Sequence, residues 1–385
     1  MGRHLAANGM TLLIVALVLA LSVITWGKNE FSGPGPTTEP VVVEIPRGAN
    51  LARATRALQE AGVITYPTVF RVGAQYREQD ESLKFGVYEV PAAASMGEVL
   101  DLLSAGAASS ARFRVTFNIN QRGLGLRLRD LIDTEAEFET ETYEQALGEV
   151  NKLNEAGESL DLRVSVSEGL TVGQVVVGLE GIPFLQGEAA TIPSEGMLAP
   201  DTYSIRNGSE VQALVDEMRT AQESRIQRVW AGREPGLPIE TPEEMVALAS
   251  IIEKETGVPD ERGVVAAVFV NRLRQGMRMQ TDPTIIYGIT RGQEVFDRPI
   301  RVSDIRGDTE ARLHGSVEYN TYLIEGLPPG PIANPGLASL EAAVAPDVSD
   351  YLFFVADGTG GHAFARTLAE HNENVAEYRA LQSNN

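Results

Sequence analysis

The sequence predicts an α+β protein: a single N-terminal transmembrane helix, then a small β/α part, then a larger mixed α/β part. Three observations carry this expectation. The stretch Leu5–Gly27 holds no charged side chain. Val41, Val43 and Ile45 alternate, and Leu51, Ala54 and Leu58 follow at helical spacing, the mark of a strand feeding a helix. The second half holds capped amphipathic helices and one short apolar strand, Tyr351–Val355.

At 385 residues the chain is long enough for two or three domains, each able to bury a core. A formal charge of −21 argues against a nucleic-acid surface, which needs clustered Lys and Arg, and against recruitment to anionic lipid through a basic patch. The absence of cysteine excludes disulfides and cysteine-ligated metals. The four histidines show no HExxH-type spacing, so neither a metal nor another cofactor is expected.

Residues 1–28 read as a short cytoplasmic tip and a membrane anchor. At about 1.5 Å per residue, Leu5–Gly27 reaches roughly 34 Å, against a hydrocarbon core of ~30 Å. Trp26 stands where an interfacial aromatic would, and Lys28 follows it. A cleaved signal peptide is the alternative, but its apolar region would be long and no clean Ala-x-Ala site follows. Arg3 and His4 against Lys28 and Glu30 mildly favour an inside N-terminus, which sends the rest of the chain across the membrane.

Residues 29–40 are a linker by composition. Beyond the strand Val41–Ile45, Pro46-Arg47-Gly48 is a break and Asn50 a cap for the next helix. A second strand runs Phe85–Val90. Ser95 and Glu98 form a capping box for a helix Met96–Leu103, stopped near Gly106. Val43–Gly48 echoes Val164–Gly169, either as a duplication or as two uses of a common strand–glycine turn. Residues 118–162 differ in character: Asp133, Glu135, Glu137, Glu139, Glu141, Glu144, Glu149, Glu155 and Glu158 face only Lys152 between Asp130 and Asp161. A solvated helix over Thr142–Leu153 is expected there, and the spacing is not that of a calcium loop. Glu195–Tyr203 is a polar, turn-rich segment, either a loop packing Tyr203 or a cleft wall. It leads to a helix Val211–Trp230.

The residues that packing alone leaves unexplained concentrate in Ala249–Gly288. Thr241 as N-cap, Pro242 at the first helical position and Glu244 closing a capping box start a helix. Met245, Leu248, Ala249 and Ile252 form its apolar stripe, and Glu255 extends that side. Gly257 is the natural C′ residue and Pro259 prevents continuation. A carboxylate in the last turn meets the negative end of the helix dipole, a cost of typically ~0.3–1 kcal/mol. Desolvation adds to it, and both raise the proton affinity, as a general acid requires. The alternative is an ion pair between Glu255 and Arg262 or Arg272. Asp260–Gln275 reads as a second helix, followed by the polar run Gln280-Thr281-Asp282-Pro283-Thr284. Tyr319–Tyr322 and Gly326–Gly330 have the same polar, turn-rich flavour. Gly360-Gly361 is a weak phosphate-cradle pattern, and His362 stands alone in sequence. A final helix is expected over Phe364–Leu381.

Taken together, ASIIEKET at Ala249–Thr256, Glu261-Arg262, VFVNRL at Val268–Leu273 and QTDPTIIYG at Gln280–Gly288 resemble the YceG-like family of endolytic murein transglycosylases. The likeness continues through YNTY at Tyr319–Tyr322, GLPPGP at Gly326–Pro331, Asn334-Pro335-Gly336, YLFFVADG at Tyr351–Gly358 and GHAF at Gly361–Phe364. The resemblance implies a LysM-like glycan-binding subdomain at 41–117 and a catalytic domain at 163–385, with 118–162 an acidic insertion that departs from the family pattern. It implies that Glu255, the second Glu of EKET, is the essential acid. The implied reaction cleaves the MurNAc–GlcNAc β-1,4 bond in nascent glycan strands and leaves 1,6-anhydroMurNAc ends, terminating elongation. It also implies partnership with penicillin-binding proteins and other peptidoglycan synthases, and a place in the bacterial inner membrane with the catalytic part periplasmic. Gln280, Asp282, Asn320 and Tyr322 are the expected sugar contacts, with Glu253 a further one. Two other readings stay open. One is a hydrolytic muramidase, which needs a second carboxylate such as Asp282 or Glu253. The other is a non-catalytic peptidoglycan-binding scaffold.

Overall fold

The structure, a computed structural model, describes residues 2–46, 50–80, 82–84, 86–105, 111–133, 138, 142–158, 160–294, 296–307 and 317–383, with side chains from 15 to 382. The fold is mixed α+β, and the chain divides into two compact units. One comprises residues 1–115 and 126–161, the other residues 116–125 and 162–385. The expected break at Arg47-Gly48, the strand start at Phe85, the helix stop at Gly106 and the acidic residues Glu135, Glu137, Glu139 and Glu141 lie outside the described residues.

The first unit opens with α1 (Gly2–Ser32), then β1 (Val41–Ile45), α2 (Leu51–Glu60), α3 (Pro67–Tyr76), β2 (Gly86–Val90) and α4 (Met96–Ala105). β1 and β2 pair antiparallel with Val43 opposite Tyr88. Their inward residues join Leu58, Phe70, Leu100 and Leu103 in one buried cluster. Local chemistry sets the helix starts: Asn50 Oδ1 accepts the Arg53 amide at 3.0 Å. Ser95 and Glu98 close a reciprocal box at 2.8 and 3.2 Å. The last turn of α1 docks on this unit through Phe31, 8% exposed, against Gly73, where a Cβ would stand 2.1 Å from the ring. Trp26 meets Tyr66 edge-on at 5.1 Å. Upstream, Leu17, Leu19, Leu21 and Val23 are all more than half exposed. Among the described residues no helix is long and apolar enough to cross a membrane, and the side chains of the first part of the apolar stretch, up to residue 14, lie outside them.

Next come β3 (Phe113–Asn120), β4 (Gly123–Asp130), α5 (Tyr143–Glu155) and β5 (Leu160–Val166), so segment 118–162 supplies strands as well as a helix. The expected helix is α5, capped by a Thr142–Gln145 box. It is not solvated all round, because Ala146 and Val150 are buried.

The second unit continues with α6 (Val172–Glu180), β6 (Leu185–Gln186), β7 (Thr202–Ile205), β8 (Ser209–Glu210) and α7 (Val211–Ala231). A four-stranded sheet runs in the order β4-β3-β5-β7, with Val164 of β5 opposite Tyr203 of β7. Then follow α8 (Pro242–Glu255), α9 (Arg262–Arg274), α10 (Asp282–Thr290), α11 (Val302–Ile305), α12 (Leu337–Val344), the hairpin β9 (Phe353–Ala356) and β10 (His362–Ala365), and α13 (Leu368–Ser383). The expected final helix starts later than Phe364, because that residue pairs with Phe354 in the hairpin.

α8 is the axis of this unit. The expected single apolar stripe understates it: every residue from Met245 to Ile252 is at most 3% exposed, since α7, α9, α10 and α12 surround the helix. Ser250, the one polar residue among them, donates to Ala247 O at 2.7 Å and accepts from Ile332 N at 3.0 Å. At the N-terminus Thr241 Oγ1 accepts from Glu244 N at 3.2 Å as expected, but Glu244 returns to the amide of Glu240 rather than Thr241. At the C-terminus the left-handed glycine is absent. Thr256 turns extended at φ −135°, and its Oγ1 accepts from Val258 N at 3.0 Å. That threonine, rather than Gly257, ends the helix, because its side chain supplies the turn that a left-handed C′ would otherwise make.

Candidate active site

Glu255 is the last residue of α8, and the Thr281 hydroxyl donates to its Oε1. Burial pushes its carboxyl above the usual range; the Thr281 bond opposes this, Asp282 adds to it, and His362 and Arg272 act against it. Among the described residues no ion pair involves Glu255. Arg272, one of the two cations that could neutralise it, is 7% exposed and donates instead to the carbonyls of Leu352, at 2.6 Å, and Met279, while its guanidinium lies 5.3 Å from the Phe353 ring centroid. Arg262 acts on Glu168. The carboxyl is left half-buried, with a neutral donor on one oxygen.

The polar run after α9 is the start of a helix rather than a free turn. Thr281 occupies the N-cap position of α10 with a proline in the first turn, yet caps nothing, because its hydroxyl is turned to Glu255. A threonine cluster holds it there. Thr281 N donates to Thr321 Oγ1 at 3.0 Å, Thr284 Oγ1 donates to Thr281 O at 2.7 Å, and Thr284 and Thr321 hydroxyls meet at 2.9 Å. All three threonines are at most 2% exposed. Sequence reasoning passed over them as parts of longer motifs; no pattern marks three threonines that meet only in space.

Of the expected sugar contacts, Gln280 and Asp282 are exposed beside Glu255's partner Thr281. Gln280 is held at φ +52°, a conformation costing a non-glycine residue on the order of 1 kcal/mol or more. Tyr322 donates its hydroxyl to Asp282 Oδ1 at 2.8 Å. Burial, then that bond, push its own proton affinity up. Asn320 is corrected. It is 2% exposed, its amide nitrogen donates to Asp304 O and Ile305 O at 3.1 and 3.0 Å, and its Oδ1 accepts from Tyr322 N. With its polar atoms spent on backbone, it braces the Tyr322 loop instead of meeting a ligand.

Glu253 sits in a different cluster. Its Oε2 accepts from Gly336 N at 3.0 Å, and it raises the proton affinity of Glu168, second to burial. Glu168 presses on Gly336 so closely that a Cβ there would stand 1.7 Å from its Oε1. Lys254 donates to Gly169 O at 3.3 Å, and burial lowers its pKa. Glu168 was legible only as the end of a sequence echo.

Glu195 is the other missed carboxyl. Its Oε1 accepts from Val172 N at 2.8 Å and its Oε2 from the Tyr287 hydroxyl at 3.3 Å. Burial pushes it up to about 7. It lines a cavity of about 520 Å³ with Met197, Ile226, Val246, Tyr319 and Pro331. Of the two readings of Glu195–Tyr203, each holds for one residue: Glu195 lines a cavity, while Tyr203 is packed, its hydroxyl on Ala199 O at 2.7 Å. The glycine pair before His362 is no phosphate cradle, because Asp357 Oδ1 already accepts from Thr359 N and Gly361 N.

A half-buried carboxyl with a raised proton affinity, with exposed Gln280 and Asp282 and half-buried Tyr322 close by, is equipped to give a proton to a polar substrate. A family model described as the YceG-like family matches residues 43–377. An endolytic murein transglycosylase of Streptococcus pneumoniae (strain D39) is 29% identical over 347 residues, 88% of this chain and 58% of that protein. One of Bacillus subtilis (strain 168) is 34% identical over 187 residues, 48% of each. The chain spans about half the length of the curated relatives it matches. The crystal structure of a yceG-like protein from Listeria monocytogenes aligns at a TM-score of 0.43 and 24% identity, over 87% of this chain and 98% of that one.

Proposed function

The chain belongs to the YceG-like family, and from that membership and the surroundings of Glu255 we propose that it is an endolytic peptidoglycan lytic transglycosylase. The observation that carries the reading is a half-buried carboxyl that takes the Thr281 hydroxyl, has a raised proton affinity and, among the described residues, forms no ion pair. Protonated Glu255 gives its proton to the oxygen of a MurNAc–GlcNAc β-1,4 bond as oxocarbenium character develops at C1. The sugar's own 6-hydroxyl then attacks C1, and the proton it sheds replenishes Glu255. The product is a 1,6-anhydroMurNAc end, and no water enters it. Gln280, Asp282 and Tyr322 hold the sugars.

The test is mass spectrometry of products from purified glycan strands. Wild type yields anhydro ends; Glu255→Gln loses them by about 10²-fold or more while still folding. Cleavage at the wild-type rate by Glu255→Gln would sink the assignment. One observation favours a hydrolytic second reading: Asp282 places an exposed carboxylate next to Thr281. Reducing ends in place of anhydro ends would select it.

The same proposal extends to the rest of the chain. The exposed apolar side chains between Val15 and Trp26 support a single-pass anchor in the inner membrane, with the second unit periplasmic. Residues 41–117 serve as a LysM-like glycan-binding part, and penicillin-binding proteins that make the strands are the partners. Alkaline extraction of membranes checks the anchor: release of the full chain into the supernatant would overturn it.

A further inference from the structure

Glu195 takes no part in the reaction and is built into a cavity of its own. It lies on the loop between β6 and β7, and its neighbour shows how tightly that loop is held. A Cβ on Gly196 would stand 2.8 Å from Val246 Cγ1 and 2.9 Å from Pro331 Cβ, so the backbone is wedged between α8 and the proline segment. At φ +83° this is also a turn that glycine adopts without strain. Fully buried Gln222 of α7 donates to Gly196 O at 3.2 Å and to Pro335 O at 3.1 Å. The carboxyl so placed lines the cavity of about 520 Å³. Met197, Ile226, Val246 and Pro331 give that cavity apolar walls, and exposed Glu243, in the first turn of α8, adds a second carboxylate.

The fold gives Glu195 neutral donors only. The Val172 N–H bonds one oxygen and the Tyr287 hydroxyl the other, and among the described residues no ion pair involves it. Arg291 lies 4.6 Å from the Tyr319 ring centroid but sends its guanidinium to Glu318, at 2.8 Å. Among the described residues that line the cavity there is no Lys, Arg or His. A carboxylate taken from water without a counter-charge is costly, and its remaining lone pairs suit a cation brought by a ligand. Apolar walls around that anchor suit a cation carried on an aliphatic chain.

The cavity is within reach of the acid. From Val246 at its wall to Glu255, α8 covers about 14 Å at 1.5 Å per residue. Helix α10 joins the same two places, with Thr281 at Glu255 and Tyr287 at Glu195. A peptide of three or four extended residues spans at most about 10–14 Å. Peptidoglycan strands carry short peptides on MurNAc that include a diamino acid, whose side-chain amine is free until a cross-link acylates it.

We propose that the cavity lined by Glu195 and Glu243 is a stem-peptide subsite that takes this free aliphatic amine. The proposal rests on the transglycosylase reading and adds a preference to it. Acylation removes the charge that the two carboxylates would meet, so strands with free amines are cut ahead of strands whose amines are blocked.

The experiment measures anhydro ends from the full chain on three preparations of purified strands with their stems. The amines are left free, acetylated, or reductively dimethylated, which adds bulk but keeps the charge. Wild type prefers free over acetylated strands by about 10- to 100-fold in kcat/KM. The difference lies in KM, because the contact is the same before and during cleavage. Dimethylated strands behave as free ones. Glu195→Gln, alike in shape but uncharged, abolishes the preference. Glu243→Gln, at an exposed side chain with no hydrogen bond or ion pair among the described residues, lowers it in part. Equal kcat/KM for free and acetylated strands in wild type overturns the proposal, as does a preference that survives Glu195→Gln. An undiminished preference in Glu243→Gln overturns it too, whether or not Glu195→Gln folds. So do dimethylated strands as poor as acetylated ones, since bulk rather than charge is then read. In each of these failures anhydro ends still form; their absence from every wild-type digest sinks the transglycosylase reading itself.

Discussion

The hydroxyl of Thr281 donates to Oε1 of Glu255 from the N-cap of α10, giving up the bond that a threonine there ordinarily makes to its own helix. Forgoing a cap costs about 1 kcal/mol. The cost is offset by the buried threonine cluster, which leaves the hydroxyl nowhere else to turn. The consequence is an oriented carboxyl: one oxygen is held, and the other is free to carry the proton.

Thr281→Val keeps the shape and removes that donor. The Thr281 bond favours ionised Glu255, so its loss raises the proton affinity of the acid further. The alkaline limb of the pH–rate profile moves to higher pH, and kcat drops about tenfold because the carboxyl is no longer aimed. An unchanged limb in a pH series on glycan strands would count against this geometry.

Asn320 and Tyr322 separate brace from contact. Asn320→Ala removes the amide donor from the Asp304 and Ile305 carbonyls and the acceptor from the Tyr322 N–H, and is expected to lower stability by about 1–3 kcal/mol in denaturant unfolding. Tyr322→Phe removes only a hydroxyl shared with Asp282. It changes stability by about 1 kcal/mol or less and lowers cleavage severalfold. A reversed pattern would restore Asn320 as a ligand contact.

Gly336→Ala tests the Glu168 cluster. Its backbone, at φ −72°, suits any residue, so the penalty is steric: a Cβ would stand 2.3 Å from Glu168 Cδ. Overpacking of this kind costs about 1–3 kcal/mol. Glu168→Ala in the same chain should recover most of it, and a failure to recover would place the strain elsewhere.

Glu195 makes stability fall with pH. Its carboxyl rises from 4.5 to about 7 on folding, so the folded state binds the extra proton across that window. The stabilisation is complete below pH 4.5 and is lost as pH rises through about 7. A rise of that size is worth on the order of 3 kcal/mol. Glu195→Gln, which cannot ionise, should gain by that order relative to wild type between pH 4.5 and 8. Parallel unfolding curves for the two proteins would refute it.

Much of the local structure was legible. Asn50, Ser95 and Thr241 announced helix starts because a cap is a contact between residues three apart, within reach of sequence spacing. The end of α8 was placed correctly but for the wrong residue, since both glycine and threonine can stop a helix and only φ distinguishes them. The strand at Phe364 was missed because an apolar residue between a glycine turn and a helix suits either element.

The site divides the same way. Sequence alone determined which carboxyl stands at the end of a buried helix, because residue order and helical period place Glu255 on the side of Leu248 and Ile252. Spacing left open whether a cation neutralises it. Only the tertiary structure decided that, by spending Arg272 on carbonyls and bringing Thr281 to the acid. It also separated Glu253 from Glu255, moved Asn320 into the core, and joined His362 to Glu261. Those outcomes depend on contacts between residues 15 to 101 positions apart, which no local period encodes.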